Sequence, residues 1–187
     1  MNVSPTPRKS LPVLAIFLIL ASSGCRTTAP SHLAVPGSVP SWNVCFSPRG
    51  GCTELVTDTI AQARSEILVQ AYSFTSEPIA QALVAAHQRG VKVEAILDKS
   101  QKTEDDSRAK LLLDNGISVQ IDSAHAIAHN KVMVIDDETV ITGSFNFSKS
   151  AEERNAENLL VIKDKALAEK YEENWRKHAE HSQAYIP

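Results

Sequence analysis

The sequence predicts an α/β fold: a mixed, largely parallel β-sheet flanked by helices. Three observations lead there. Short β-branched and aliphatic runs alternate with helix-length amphipathic segments between residues 42 and 122. The amphipathic segments stop at Gly90 and at Asn115-Gly116, as helices commonly do. Beyond Asp122, two strand-like runs are separated by only Asp137-Glu138, a link short enough to require an antiparallel hairpin.

Taken in order, Asn43 to Ser47 reads as a strand, and Thr53 to Arg64 as a helix with Leu55, Val56, Ile60 and Ala63 on one side. Ile67 to Ser73 is the next strand. Ser76 is a natural N-cap with Pro78 in the first turn, and Ile79, Leu83 and Ala86 form the apolar stripe of a second helix. Val91 to Leu97 is a strand, Ser107 to Asp114 a helix, and Ile117 to Ile121 a fourth strand. Lys131 to Asp136 and Thr139 to Thr142 make the hairpin. Ala166 to His181 is a closing helix with Leu167, Tyr171 and Trp175 at four-residue steps, a spacing read as core packing.

Composition narrows the class further. A chain of 187 residues is too short for two ordinary domains, yet it can bury one real core. Its 43% hydrophobic residues exclude a disordered chain, and seven Gly with nine Pro exclude a fibrous one. The formal charge of −3 means that any anionic ligand must be met by a local cluster of donors.

Residues 1–25 read as a secretory signal. Arg8 and Lys9 precede the apolar run Leu11 to Ala21, which is short for a bilayer span and ends in Ser22-Ser23-Gly24-Cys25. Cys25 resembles a bacterial lipoprotein cleavage site, although Ser22 stands where Leu is usual; conventional cleavage near Ser23 is the competing reading. Both predict export, to the periplasm, to a membrane through a lipid on Cys25, or into the medium. Residues 26–41 form a Pro/Ser/Thr-rich linker, and residues 42–187 the folded domain. In an oxidising compartment neighbouring thiols pair, so Cys45 and Cys52, flanking a turn-rich segment, are expected to form a disulfide.

The hairpin carries the chemistry. With Asp137 and Glu138 as its two loop residues, Lys131 falls opposite Ser144 and His129 opposite Asn146, all on one face. Asp136 then points to the other face, in a supporting role. An imidazole, an ammonium, a hydroxyl and an amide, with Gly143 allowing close backbone approach, suit an oxyanion such as phosphate.

His129-Asn130-Lys131, Asp136 and Gly143-Ser144-Phe145-Asn146 fit HxK(x)4D(x)6GSxN without a mismatch. This pattern resembles the phospholipase D superfamily, and in particular its small bacterial single-motif nucleases. The similarity runs from about Trp42 to Trp175. It implies an α-β-α sandwich and a metal-independent phosphodiesterase with no cofactor. His129 would be the nucleophile, Lys131 and Asn146 would bind phosphoryl oxygens, Ser144 would hydrogen-bond within the site, and Glu157 would orient His129. Read alone, Glu157 could be a solvated carboxylate at a strand start; the logic of a base with its orienter favours the functional role.

Only one of six histidines begins an HxK, and no internal repeat supplies a second copy. The resemblance therefore implies a homodimer with the active site on its two-fold axis, one His129 attacking and the other serving as general acid. A rival metal site at Asp122, His125 and His129 has D-x2-H-x3-H spacing, but it lacks an evident fourth ligand. Nucleic acid is the favoured substrate, with Lys149 and Arg154 placed to meet a second phosphate or simply to be solvated beside Glu152 and Glu153. Phospholipid headgroup hydrolysis is the alternative.

Overall fold

The computed structural model describes Met1 and residues 40–187. The signal segment, Cys25 and nearly all of the 26–41 linker lie outside the described residues. Among these residues eight strands form one open sheet: β1 (Ser41–Ser47), β2 (Glu66–Ala71), β3 (Lys92–Asp98), β4 (Ser118–Asp122), β5 (Lys131–Ile135), β6 (Thr139–Gly143), β7 (Glu157–Lys163) and β8 (Gln183–Ala184). Their order across the sheet is β1-β7-β6-β5-β2-β3-β4-β8. Among the described residues five α-helices accompany them: α1 (Cys52–Ala61), α2 (Glu77–Gln88), α3 (Ala109–Asp114), α4 (Lys149–Glu153) and α5 (Lys165–Ala179). Among the described residues no helix is long and apolar enough to cross a membrane.

The mixed sheet flanked by helices agrees with the expected fold class, but its parallel share is smaller than predicted. Only β2–β3 and β3–β4 are parallel; β2–β5, β5–β6, β6–β7, β1–β7 and β4–β8 are antiparallel. Helices α2 and α3 are the crossovers that permit the parallel pairs. The three-residue link between β5 and β6 leaves no room for such a crossover, so the chain doubles back there.

Alternation along the strands feeds two cores. On one face Val69, Leu97, Met133 and Ile141 pack with Val56 and Ile60 of α1, Ile79 and Leu83 of α2 and Leu112 of α3. On the other, Leu68, Ile96, Val132, Val134 and Val140 are covered by Ala168 and Trp175 of α5, with Leu167 and Tyr171 alongside. The Trp175 indole donates to the Val69 carbonyl oxygen at 2.9 Å. The stripe on the last helix is therefore core packing.

Cys45 and Cys52 are joined in a disulfide that links β1 to the start of α1. Glu152 of α4 caps the same helix, accepting from Gly51 N at 3.0 Å and Thr53 N at 2.7 Å. A carboxylate there satisfies amides that have no partner inside the helix.

The hairpin register differs from expectation by one residue. Ile135 pairs with Thr139 and Met133 with Ile141, so the loop holds three residues, Asp136 to Glu138. Asp136 and Asp137 both adopt left-handed backbone, φ 54° and 55°, a conformation that Asp tolerates better than most residues. Leaving the ladder frees Asp136 to bind the turn between α1 and β2. Its carboxylate accepts from Arg64 N (2.9 Å), Ser65 N (2.8 Å), Ser65 Oγ (2.7 Å) and Glu66 N (3.1 Å).

Burial alone would raise the Asp136 carboxyl, but the bonds from Ser65, Glu66 and Arg64 outweigh it and hold its pKa below the ordinary value. A depressed carboxylate stabilises the fold above its unfolded pKa and loses that contribution as pH falls through the folded one. Asp136→Asn should therefore cost about 1–3 kcal/mol at neutral pH in urea unfolding. The difference from the parent should shrink below about pH 4; a pH-independent difference would contradict the assignment.

Candidate active site

The C-terminal ends of β2, β3 and β4 lie along one edge of the sheet. Because β5 runs antiparallel to β2, with Lys131 opposite Ala71, its first residues start at that same edge. β6 ends there at Gly143, opposite Leu159 near the beginning of β7. One edge thus collects His129, Lys131, Ser144, Asn146 and Glu157 from three segments.

His129 is exposed at the end of the β4–β5 connection, its ring 4.7 Å from that of Tyr72. Lys131 is buried, donates from Nζ to the His129 carbonyl oxygen at 2.9 Å and lies 5.1 Å from the Tyr72 ring centroid. Burial pushes the Lys131 ammonium below its ordinary pKa, and the nearby negative charge of Glu157 counters part of that effect. Tyr72 was not anticipated from the sequence; its N–H donates to the Asn130 carbonyl at 2.8 Å and so ties the end of β2 to the HxK segment.

Past Gly143 the expected cross-strand pairs do not form. Lys131 is not opposite Ser144, nor His129 opposite Asn146, because the register is shifted. Ser144 N and Phe145 N instead both donate to the Asn158 carbonyl oxygen, at 3.0 and 3.2 Å. Two residues therefore oppose one, as in a bulge. Gly143 is needed at this point: a Cβ there would lie 2.3 Å from the Asn158 carbonyl oxygen. Ser144 Oγ accepts from Asn158 N at 3.0 Å. Asn146 Oδ1 is buried and meets no hydrogen-bond partner among the described residues, leaving a polar atom of the turn for a group from outside the chain.

Glu157 lies close enough to affect Lys131 and accepts from Asn155 Nδ2 at 3.1 Å. No hydrogen bond joins it to His129 among the described residues. Lys149 pairs with Glu153 at 3.6 Å and Arg154 Nη2 donates to Ser150 Oγ at 2.6 Å, both exposed. His125 does not join His129 in a metal cluster; it turns toward Asp122, His178 and His181.

Asp98 is a second residue missed in the sequence. It is 2% exposed at the end of β3 and accepts from Ser100 N at 2.9 Å and Ala128 N at 2.7 Å. Burial raises its carboxyl, and these bonds outweigh burial to hold its pKa below the ordinary value. Asp98 is a positioning residue: it fixes the backbone immediately before His129.

An exposed imidazole stands beside a desolvated ammonium, with a Ser/Asn turn at the same edge, a set of donors of the kind that suits an oxyanion. Residues 56–179 match the family described as "Cardiolipin synthase, PLD-like domain", and the chain belongs to that phosphodiesterase family. It is similar to Nuc, a phospholipase D family member from Salmonella typhimurium, at 40% identity and a TM-score of 0.76, over 80% of this chain and 100% of that one. NucT from Helicobacter pylori aligns with a TM-score of 0.72 at 27% identity, over 79% of this chain and 100% of its own. A Rickettsia prowazekii protein named phospholipase D is 46% identical over 133 residues, 71% of this chain. The match spans 65% of that relative's length.

The depressed Lys131 ammonium has a testable consequence. A lysine whose folded pKa is lowered opposes folding while it is charged, and the cost disappears as pH rises past the ordinary lysine value. Lys131→Met should reduce phosphodiester hydrolysis by about a hundredfold or more while leaving the melting temperature at pH 7 equal to or above the parent's. A lower melting temperature in the variant would show that the ammonium serves the fold instead.

Proposed function

We propose that this protein is an exported phosphodiesterase that cleaves nucleic acid through a covalent intermediate on His129. The convergence of His129, Lys131, Ser144 and Asn146 at one sheet edge carries the reading. In the first step a His129 ring nitrogen attacks phosphorus and the bond to the leaving oxygen breaks, with a proton delivered to that oxygen. Water then attacks the phosphohistidine, the P–N bond breaks, and the imidazole is regenerated. Lys131 and Asn146 hold the phosphoryl oxygens, Ser144 fixes the turn, and Glu157 orients His129. The reaction uses no metal at phosphorus.

The proton comes from a second His129, contributed by a second copy of the chain across a two-fold axis. An uncovered apolar face supports this assembly. Trp42 and Phe46 of β1 are 67% and 65% exposed, and with Val44 they share a face with their β7 neighbours Leu160 and Ile162. Trp42, Val44, Leu160 and Ile162 line a shallow pocket of about 400 Å³, and Phe46 pairs with Asn158, which binds Ser144. A patch of this kind is better matched to another protein surface than to water.

Nucleic acid is favoured because the site is open and bordered by the exposed cations Lys149 and Arg154, and because the alignment takes in the full length of Nuc. Ile127, 56% exposed two residues before His129, together with the phospholipase D named in Rickettsia, favours a lipid headgroup as the second reading. The signal-like sequence of residues 1–25 and the Cys45–Cys52 disulfide support export, with lipid attachment at Cys25 or conventional cleavage near Ser23 as the two routes.

The test is hydrolysis of single- and double-stranded DNA, RNA and phosphatidylcholine vesicles without added divalent cation. The expected result is cleavage of nucleic acid, its loss in His129→Ala, and sedimentation of both proteins as dimers. Choline release with intact nucleic acid would transfer the assignment to phospholipids. A fully active monomer would refute the shared site.

A further inference from the structure

A second cluster lies at the same sheet edge, at the end of β4. Asp122 is fully buried, and three imidazoles converge on its Oδ2: His178 Nδ1 at 2.8 Å, His125 Nδ1 at 2.9 Å and His181 Nε2 at 3.3 Å. The three rings stand 4.9 to 5.4 Å apart, centroid to centroid. One ligand atom from each of the four residues lies within 4.8 Å of every other.

Hydrogen bonding explains this arrangement poorly. A carboxylate oxygen has two lone pairs in its plane, and here three ring nitrogens crowd one oxygen while Oδ1 already accepts from Ala124 N at 3.0 Å. A tetrahedral ion explains it better. Bonds of about 2.0–2.1 Å place neighbouring ligand atoms about 3.3 Å apart, and the nitrogen–oxygen separations approach that value. Three nitrogens and one carboxylate oxygen form a donor set suited to zinc.

We infer that Asp122, His125, His178 and His181 form a structural zinc site, distinct from the phosphoryl site at His129. The ligands come from two distant stretches of chain. Asp122 and His125 lie at the start of the connection that ends at His129, and His178 and His181 lie at the C-terminal end of α5. The site is already supported from outside: Lys99 Nζ donates to the His125 carbonyl at 3.0 Å, and Ser182 Oγ donates to that of His178 at 2.8 Å. Four protein ligands leave no position for substrate, so the ion acts as a clamp. It joins the end of α5, and β8 behind it, to the loop that presents the catalytic imidazole.

The test uses tag-free protein stripped with chelator and then given Zn²⁺ alone. One equivalent per chain should bind by calorimetry, and the melting temperature should rise by about 5–10 °C when free zinc is a hundredfold above Kd. Cobalt in its place should give the intense visible bands of a tetrahedral ion. His125→Gln and His181→Gln alter the two more exposed ligands and should fold with unchanged circular dichroism; each should lose the cobalt bands and most of the thermal shift. His129→Ala should keep both. Absence of stoichiometric zinc binding, or a thermal shift that survives in both ligand variants, would overturn the assignment.

Discussion

Asp98 and Asp122 stand in register at the ends of neighbouring strands, both almost wholly removed from water. A buried carboxylate is tolerated only when its oxygens are matched by donors. Here the donors include backbone N–H groups of the connection running from β4 to β5. Asp122 takes Ala124 at its start and Asp98 takes Ala128 at its end. An irregular stretch that would otherwise rely on weak surface contacts is pinned at both ends by charge-assisted bonds. His129 follows the second pin directly, so the position of the imidazole proposed as nucleophile depends on a carboxylate one strand away.

Sheet topology supplies the remaining groups. The two parallel crossovers bring three strand ends to one edge, and the reversal into β5 and β6 returns the chain there with Lys131 and then Ser144. Desolvation of Lys131 has two effects. It opposes folding modestly, and it leaves an ammonium with little competing water at the proposed phosphoryl site. The same edge continues across β6 and β7 to the apolar face of β1, exposed among the described residues, which is the surface proposed to meet a second copy.

The motif and its alternating elements were legible because they rest on local rules. Strand and helix lengths, the Ser76 cap region and the stop at Gly116 all follow from nearest neighbours in the chain. The hairpin register was misjudged because Asp136-Asp137-Glu138 contains no glycine, yet its first two residues adopt the left-handed conformation that a two-residue loop would assign elsewhere. The bulge after Gly143 depends on Asn158, fifteen residues on, and was not readable. Asp98, Tyr72 and the approach of His178 and His181 to Asp122 were missed for the same reason: their importance lies in contacts across 30 to 59 residues of sequence. β8, only two residues long, has no pattern of its own.

The most direct test is to trap the covalent intermediate. The protein would be mixed with an activated aryl phosphodiester, quenched at high pH where a phosphoramidate survives, and digested for mass spectrometry. The account predicts a phosphoryl adduct on the peptide carrying His129, forming before steady-state product release and absent from His129→Ala. Product formation with no adduct at any time, or an adduct on another residue, would contradict it.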